Sequence, residues 1–168
     1  IRLLENEIYK LKNQKRSIRN ETMKSSEEVI LANMFFLDGV KYQYEAEYKF
    51  DESDNYRKKY RPDFYLEESD VYWEHFGIDE RNRAHQYSTV TEKQYLEGVE
   101  WKRNIHKINS TRLAETYSWQ FAKNKIVDAV NNNYIKFNIK KHKINYCDVI
   151  KEILKGDEVG NIESFKSL

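Results

Sequence analysis

Two acids in this chain are spaced so that they could act together. Asp63 closes the triplet Arg61-Pro-Asp63, and Glu74 lies in Trp73-Glu-His75. Between them, two runs of strand-forming residues, 60–66 and 71–76, flank Glu67-Glu-Ser-Asp70, which reads as a tight hairpin. A turn centred on Glu68 and Ser69 sets Asp63 opposite Glu74. Opposed residues share a face, with Cβ atoms about 5 Å apart. Two carboxylates held that way repel each other unless a positive charge lies between them. A hard divalent cation such as Mg²⁺ suits the pair, because it takes carboxylate oxygens and keeps several waters. The other face of the hairpin, Phe64, Leu66, Val71 and Trp73, is apolar and reads as core. The pattern describes a metal site at the edge of a sheet. Its plain alternative is a pair of solvated acids, and a one-residue slip in register would turn Glu74 to the opposite face.

The surrounding elements must hold this hairpin in place. Ile1, Leu4, Ile8, Leu11 and Ile18 recur at heptad spacing, interrupted by Lys15, and predict a long amphipathic helix over residues 1–22. Ser25 or Ser26 caps a second helix with Glu27 and Glu28 in its first turn, and Gly39 stops it. Residues 41–50 are rich in aromatic residues and predict a first strand. Thr91 caps a helix running to Ile108. Residues 113–121 alternate as a strand, and helices are expected over 123–134 and 145–154. The order of elements predicts an α/β fold with a mixed sheet. In this reading residues 1–22 form a linking helix and residues 23–168 a single domain.

The residues around the two acids resemble a known motif. Pro62-Asp63, ten residues and then Glu74 is similar to the opening of the PD-(D/E)xK nuclease motif. The similarity extends through Lys24-Ser-Ser-Glu-Glu-Val-Ile-Leu-Ala-Asn33, Gly39, Tyr42-Gln-Tyr-Glu45, Tyr60-Arg-Pro-Asp-Phe64, Glu74-His-Phe-Gly77, Trp101-Lys-Arg103 and Glu115-Thr-Tyr-Ser118. In that order these segments resemble the nuclease-like domain of UvrD-like helicases of the DNA helicase IV type, over residues 24–121. The resemblance implies a restriction-endonuclease-like core, a mixed sheet flanked by helices. It also implies hydrolysis of DNA phosphodiesters with Mg²⁺ or Mn²⁺, and partners in DNA and in the helicase domains of a parent chain active in DNA repair. Asp63 and Glu74 would hold the metal, and Glu28 would reach it through water. The motif calls for lysine two residues after the glutamate, where this chain has Phe76. Lys102 on the following helix, or Arg61 opposite Phe76, could stand in. Without either, a DNA-binding or docking module with no cleavage remains, and so does a protein-interaction domain built on the helix at residues 1–22.

Other chemistry is thinly represented. His75 faces away from the two acids by strand alternation and reads as a hydrogen-bonding or core residue. Glu115 is either an extra site acid or a sheet-edge residue. Tyr95, Lys102 and His106 share one helix face, which reads as a phosphate contact or as a solvated surface. The lysine-rich residues 136–143 suit an edge strand or a DNA contact. His85, His106 and His142 show no zinc spacing, and Cys147 is the single cysteine, which excludes a disulfide framework and fits a cytoplasmic setting. Lys and Arg (29) balance Asp and Glu (28), so net charge names no partner. No apolar run is long enough to span a membrane. The chain lacks a GxxxxGK[ST] loop, so ATP is expected only in the parent helicase; the opening Ile1 is read as the start of a fragment.

Overall fold

The computed structural model describes residues 15–50 and 59–157. In chain order the elements are α1 (Ser26–Leu37), β1 (Tyr42–Tyr44), β2 (Phe64–Leu66), β3 (Val71–Phe76), α2 (Thr89–Ile108), β4 (Arg112–Tyr117), α3 (Ser118–Ala122), α4 (Ile126–Lys136) and α5 (Tyr146–Asp157). They fall into two compact units. One takes Ile1–Lys41 and Lys141–Leu168, and the other is Tyr42–Lys140.

In the first unit, Ser25 caps α1 by accepting from the Glu28 amide, which satisfies one of the orphan donors at a helix start. Val29, Leu31, Ala32 and Phe35 form its buried face. The expected helix over residues 1–22 needs correction in its described part, while residues 1–14 lie outside the described residues. Residues 15–22 fold into a tight reversal in which Arg16 bridges Thr22 and the Met23 amide donates to Lys15 O. Lys15 and Asn20 adopt φ of 54° and 65°, a left-handed conformation that ends any helix. Ile18 is buried against Val149 and Ile153 of α5, and its amide is held by Asn33 Oδ1 at 2.8 Å.

The second unit is built on a four-stranded sheet of order β1-β2-β3-β4. The β2–β3 hairpin has the expected register, with Phe64 opposite Trp73 and Leu66 opposite Val71. Its loop is a 3₁₀ turn over Glu67–Ser69 closed by Asp70 at φ 48°. β3 and β4 are parallel. Parallel neighbours need a long crossover, and α2 supplies it. The sheet is mixed and lies between helices, as an α/β fold requires. On one face Trp73 meets Tyr134 of α4. On the other, Tyr72 packs with Ile105 and Phe76 with Val99, both from α2.

Several expectations change. Ser88, not Thr91, caps α2, its side chain accepting from the Thr91 amide, and the strand expected from Tyr60 begins at Phe64. The first strand shrinks to Tyr42–Tyr44, because Glu45 turns at φ 49°. Its continuation still follows the neighbouring chain through Glu45 N to Asp63 O and Tyr48 N to Tyr60 O, both 3.0 Å. The strand expected to Phe121 ends at Tyr117, where Gln120 folds back to cap the Tyr117 amide and starts α3. Residues 136–143 form no strand; Phe137 caps α4 and Asn138 turns at φ 52°. Among the described residues no helix is long and apolar enough to cross a membrane.

Gly39 sits at φ +67°, and a Cβ there would lie 2.1 Å from the carbonyl oxygen of His142. Gly39→Ala is therefore expected to lower stability by more than about 1 kcal/mol. Urea denaturation measures this, and a variant as stable as the parent would refute the account of this turn.

Candidate functional site

The site begins with the hairpin register. Asp63 directly precedes β2, whose ladder with β3 ends at the Phe64–Trp73 pair. The Asp63 carboxylate is pinned there, since its Oδ2 accepts from the His75 amide at 2.7 Å. On the other side of β3, the parallel register places Glu115 beside Glu74. Asp63 is thus held at the residue after Glu74, and Glu115 is the register partner of Glu74 across the β3–β4 ladder.

The sequence pattern places the pair Asp63 and Glu74 at an open edge, and for Glu74 the structure corrects that. Tyr72, Glu74 and Phe76 are as buried as the opposite face, and Glu74 is 0% exposed. α2 covers them. Its residues Tyr95, Val99, Lys102 and His106 recur at helical spacing on the face turned to the sheet. That face is not a solvated stripe but packs on the sheet: His106 is buried, and the Tyr95 hydroxyl accepts from the Gly77 amide at 2.7 Å.

α2 also brings the cations. Lys102 Nζ lies 2.6 Å from Glu74 Oε2. A buried carboxylate needs such a partner, because an uncompensated charge in the interior is very costly. The next residue, Arg103, makes a forked contact to Glu115 and also reaches Glu100. Phe76 lies between the two cations, with Lys102 Nζ 5.7 Å and Arg103 Cζ 5.3 Å from its ring centre. The residue at the motif-lysine position is thus the aromatic surface against which both cations rest. Glu115, engaged by Arg103 and by the Tyr117 hydroxyl, is a structural acid here.

Two sequence candidates are engaged elsewhere. Arg61 pairs with Glu47 at 2.9 Å with its side chain 54% exposed. Glu28 lies on α1 in the first unit, where its two oxygens accept from the Ser25 hydroxyl and the Lys24 amide. His75 behaves as expected, with Nδ1 at 3.0 Å from Thr116 Oγ1 and its ring against Phe121.

The other oxygen of Glu74 ends a chain of buried hydrogen bonds that the sequence did not reveal. Tyr60 O–H donates to Glu74 Oε1 at 2.6 Å, and His106 Nε2 lies 3.1 Å from the same hydroxyl. Tyr60 has one proton to give and gives it to the carboxylate, so it must accept from His106 Nε2–H. That tautomer makes His106 Nδ1 an acceptor for Thr111 Oγ1, 2.7 Å away. Thr111 in turn accepts from the Tyr48 hydroxyl at 2.7 Å. Every donor in the chain points toward Glu74. Burial, and then the charge of Glu74, drive the Tyr60 hydroxyl far above the usual tyrosine range. Burial lowers His106 to about 4, helped by Lys102 and opposed by Glu115. The helical spacing of Lys102 and His106 was the available signal for this network; nothing in the sequence tied Tyr48 or Thr111 to it.

Asp63 and Glu74 supply the oxygen donors that Mg²⁺ prefers. Among the described residues no three His, Cys, Asp or Glu side chains converge on one point. Two carboxylates are nonetheless an ordinary set for this ion, which completes its shell with water and phosphate oxygens. The donor set fits the cation.

His106 makes stability depend on pH. Its folded value of about 4 lies below the reference 6.5, so between those values the unfolded chain binds more protons. The stabilisation is complete above about pH 6.5 and drains away as the pH falls toward about 4. Urea unfolding from pH 7.5 to pH 4.5 should show His106→Gln losing ~2–3 kcal/mol less than the parent over that range. Parallel pH profiles for the two proteins would show that His106 is not the source.

Compared with known proteins, the chain matches no family model, no curated protein and no solved structure.

Proposed function

We propose that the second unit is a metal-dependent DNA phosphodiesterase, the restriction-endonuclease-like nuclease domain of a UvrD-like helicase of the DNA helicase IV type. The observation that carries this reading is the Lys102 ammonium 2.6 Å from the buried Glu74 carboxylate, with Asp63 alongside. An acid pair with one lysine is the set a PD-(D/E)xK nuclease needs, and here the lysine comes from α2 while Phe76 occupies the strand position. The mixed sheet between helices is compatible with that core.

Each residue has a distinct task in this mechanism. Mg²⁺ or Mn²⁺ held by Asp63 and Glu74 would polarise a phosphate oxygen and lower the pKa of a bound water. Asp63 is kept in place by the His75 amide, and Glu74 by Tyr60. Lys102 would donate to the attacking water or to the charge that develops on the phosphate, where a well-placed cation acts strongly. Arg61 has no part in it. Glu28 belongs to the first unit, and the reading does not require it. The helicase motor, its ATP and the remaining DNA contacts belong to the parent chain, which this reading places in the cytoplasm in DNA repair.

Phe76 favours a second reading, a nuclease fold that binds DNA without cutting it. One experiment separates the two. Linear, forked and single-stranded DNA are incubated with Mg²⁺ or Mn²⁺ and either the parent protein or Asp63→Ala, Glu74→Ala or Lys102→Met. Metal-dependent cleavage is expected, with each variant at least ~100-fold slower. Binding without cleavage would favour the second reading, and neither binding nor cleavage would remove both.

A further inference from the structure

The two oxygens of Glu74 have different partners. Oε1 is held by the Tyr60 hydroxyl at the end of the buried hydrogen-bond chain. Oε2 is held by the Lys102 ammonium. The two partners also differ in freedom. Tyr60 is buried, whereas the Lys102 side chain is 29% exposed, so its ammonium can reach water by rotating its stem. Leaving Glu74 would not strand it. Nζ lies 5.8 Å from the Tyr60 ring centre and 5.7 Å from that of Phe76, and aromatic faces attract ammonium groups.

We propose that Lys102 is the resting counter-ion of Glu74, occupying Oε2 until a divalent cation takes its place, and that Phe76 is the seat that positions it for both states. This rests on the metal-binding reading of Asp63 and Glu74 given above. The physical requirement is charge balance. A carboxylate with no exposed surface cannot stand without a cation, and Lys102 meets that need when no metal is bound. A divalent cation arriving between Asp63 and Glu74 meets it instead and repels the ammonium. Lys102 is then released beside the metal, where the proposed chemistry uses it. Phe76 in place of a strand lysine becomes intelligible: an ammonium fixed on β3 could not leave, whereas one carried on a helix and resting on a ring can.

The proposal predicts effects of opposite sign for one substitution. Lys102→Met should bind metal more tightly than the parent while cleaving DNA poorly. A residue that merely supported the fold would weaken both. Mn²⁺ alone is titrated calorimetrically onto the full chain, onto Lys102→Met, onto Phe76→Leu and onto Glu74→Gln. Lys102→Met is expected to bind at least ~10-fold more tightly, Phe76→Leu to show a smaller gain, and Glu74→Gln to lose binding. Mn²⁺ affinity in Lys102→Met equal to or weaker than the parent's overturns the proposal and leaves the metal-binding reading standing. Failure of both proteins to bind Mn²⁺ removes that reading and the proposal with it. A measurement on the unsubstituted chain covers the case in which Lys102→Met fails to fold. The side-chain ¹⁵Nζ resonance of Lys102, held at Glu74, should shift and lose its protection from exchange as Mg²⁺ is added; a resonance unmoved at saturating Mg²⁺ overturns the proposal.

Discussion

The ion pair between Glu74 and Lys102 constrains everything around it. A carboxylate at the centre of a sheet, covered by a helix, is a net cost unless its charge and its lone pairs are matched. The charge is matched from α2 at 2.6 Å and the remaining oxygen by Tyr60 at 2.6 Å. That demand sets the phase of α2, since Lys102 and His106 must both face the sheet. It also draws the irregular segment before β2 inward, because Tyr60 must reach Oε1. Removing one partner of such a pair typically costs about 3–5 kcal/mol, so Glu74, Lys102 and Tyr60 stand or fall together.

The hairpin was legible in the sequence because it is written twice. Phe64, Leu66, Val71 and Trp73 alternate with polar or aromatic residues, and a four-residue loop permits few registers. Together they fix the pairing of Phe64 with Trp73 and of Leu66 with Val71 that the structure shows. The capped start of α1 at Ser25 and its stop at Gly39 were equally plain, for each uses local chemistry alone. What escaped notice lies further apart in sequence. β3 is paired on both sides and covered on both faces, so Tyr72, Glu74 and Phe76 are buried although alternation marks only one face as core. Central strands of mixed sheets lose the simple two-sided pattern.

The errors have local causes. Over residues 15–22 the heptad count ran through Lys15 and Asn20, both of which adopt left-handed conformations. Periodicity records which residues are apolar, and Ile18 is indeed buried, but it does not record the path of the backbone between them. At the end of β4, Ser118 to Phe121 carries strand-like residues that tertiary context turns into a helix, helped by the reach of Gln120 back to the Tyr117 amide. Arg61 was placed opposite Phe76 by extending the register past the point where the strand ends. β2 begins at Phe64, and upstream of it the chain leaves the ladder and takes Arg61 toward Glu47.

The turn at Gly39 also governs the order of assembly. His142 N donates to Asp38 O at 3.0 Å, and Lys141 reaches the Asp38 carboxylate. The two ends of the sheet-bearing unit therefore leave from one clasp, and the first unit is assembled from segments on either side of it. On a ribosome the first unit cannot close until the whole inserted unit has emerged. Bringing residues 38 and 142 together costs chain entropy that grows with the loop between them, and that cost vanishes once the insert has folded with its ends adjacent. Chain connectivity thus makes the contact between Asp38 and His142 wait on the whole of the segment between them.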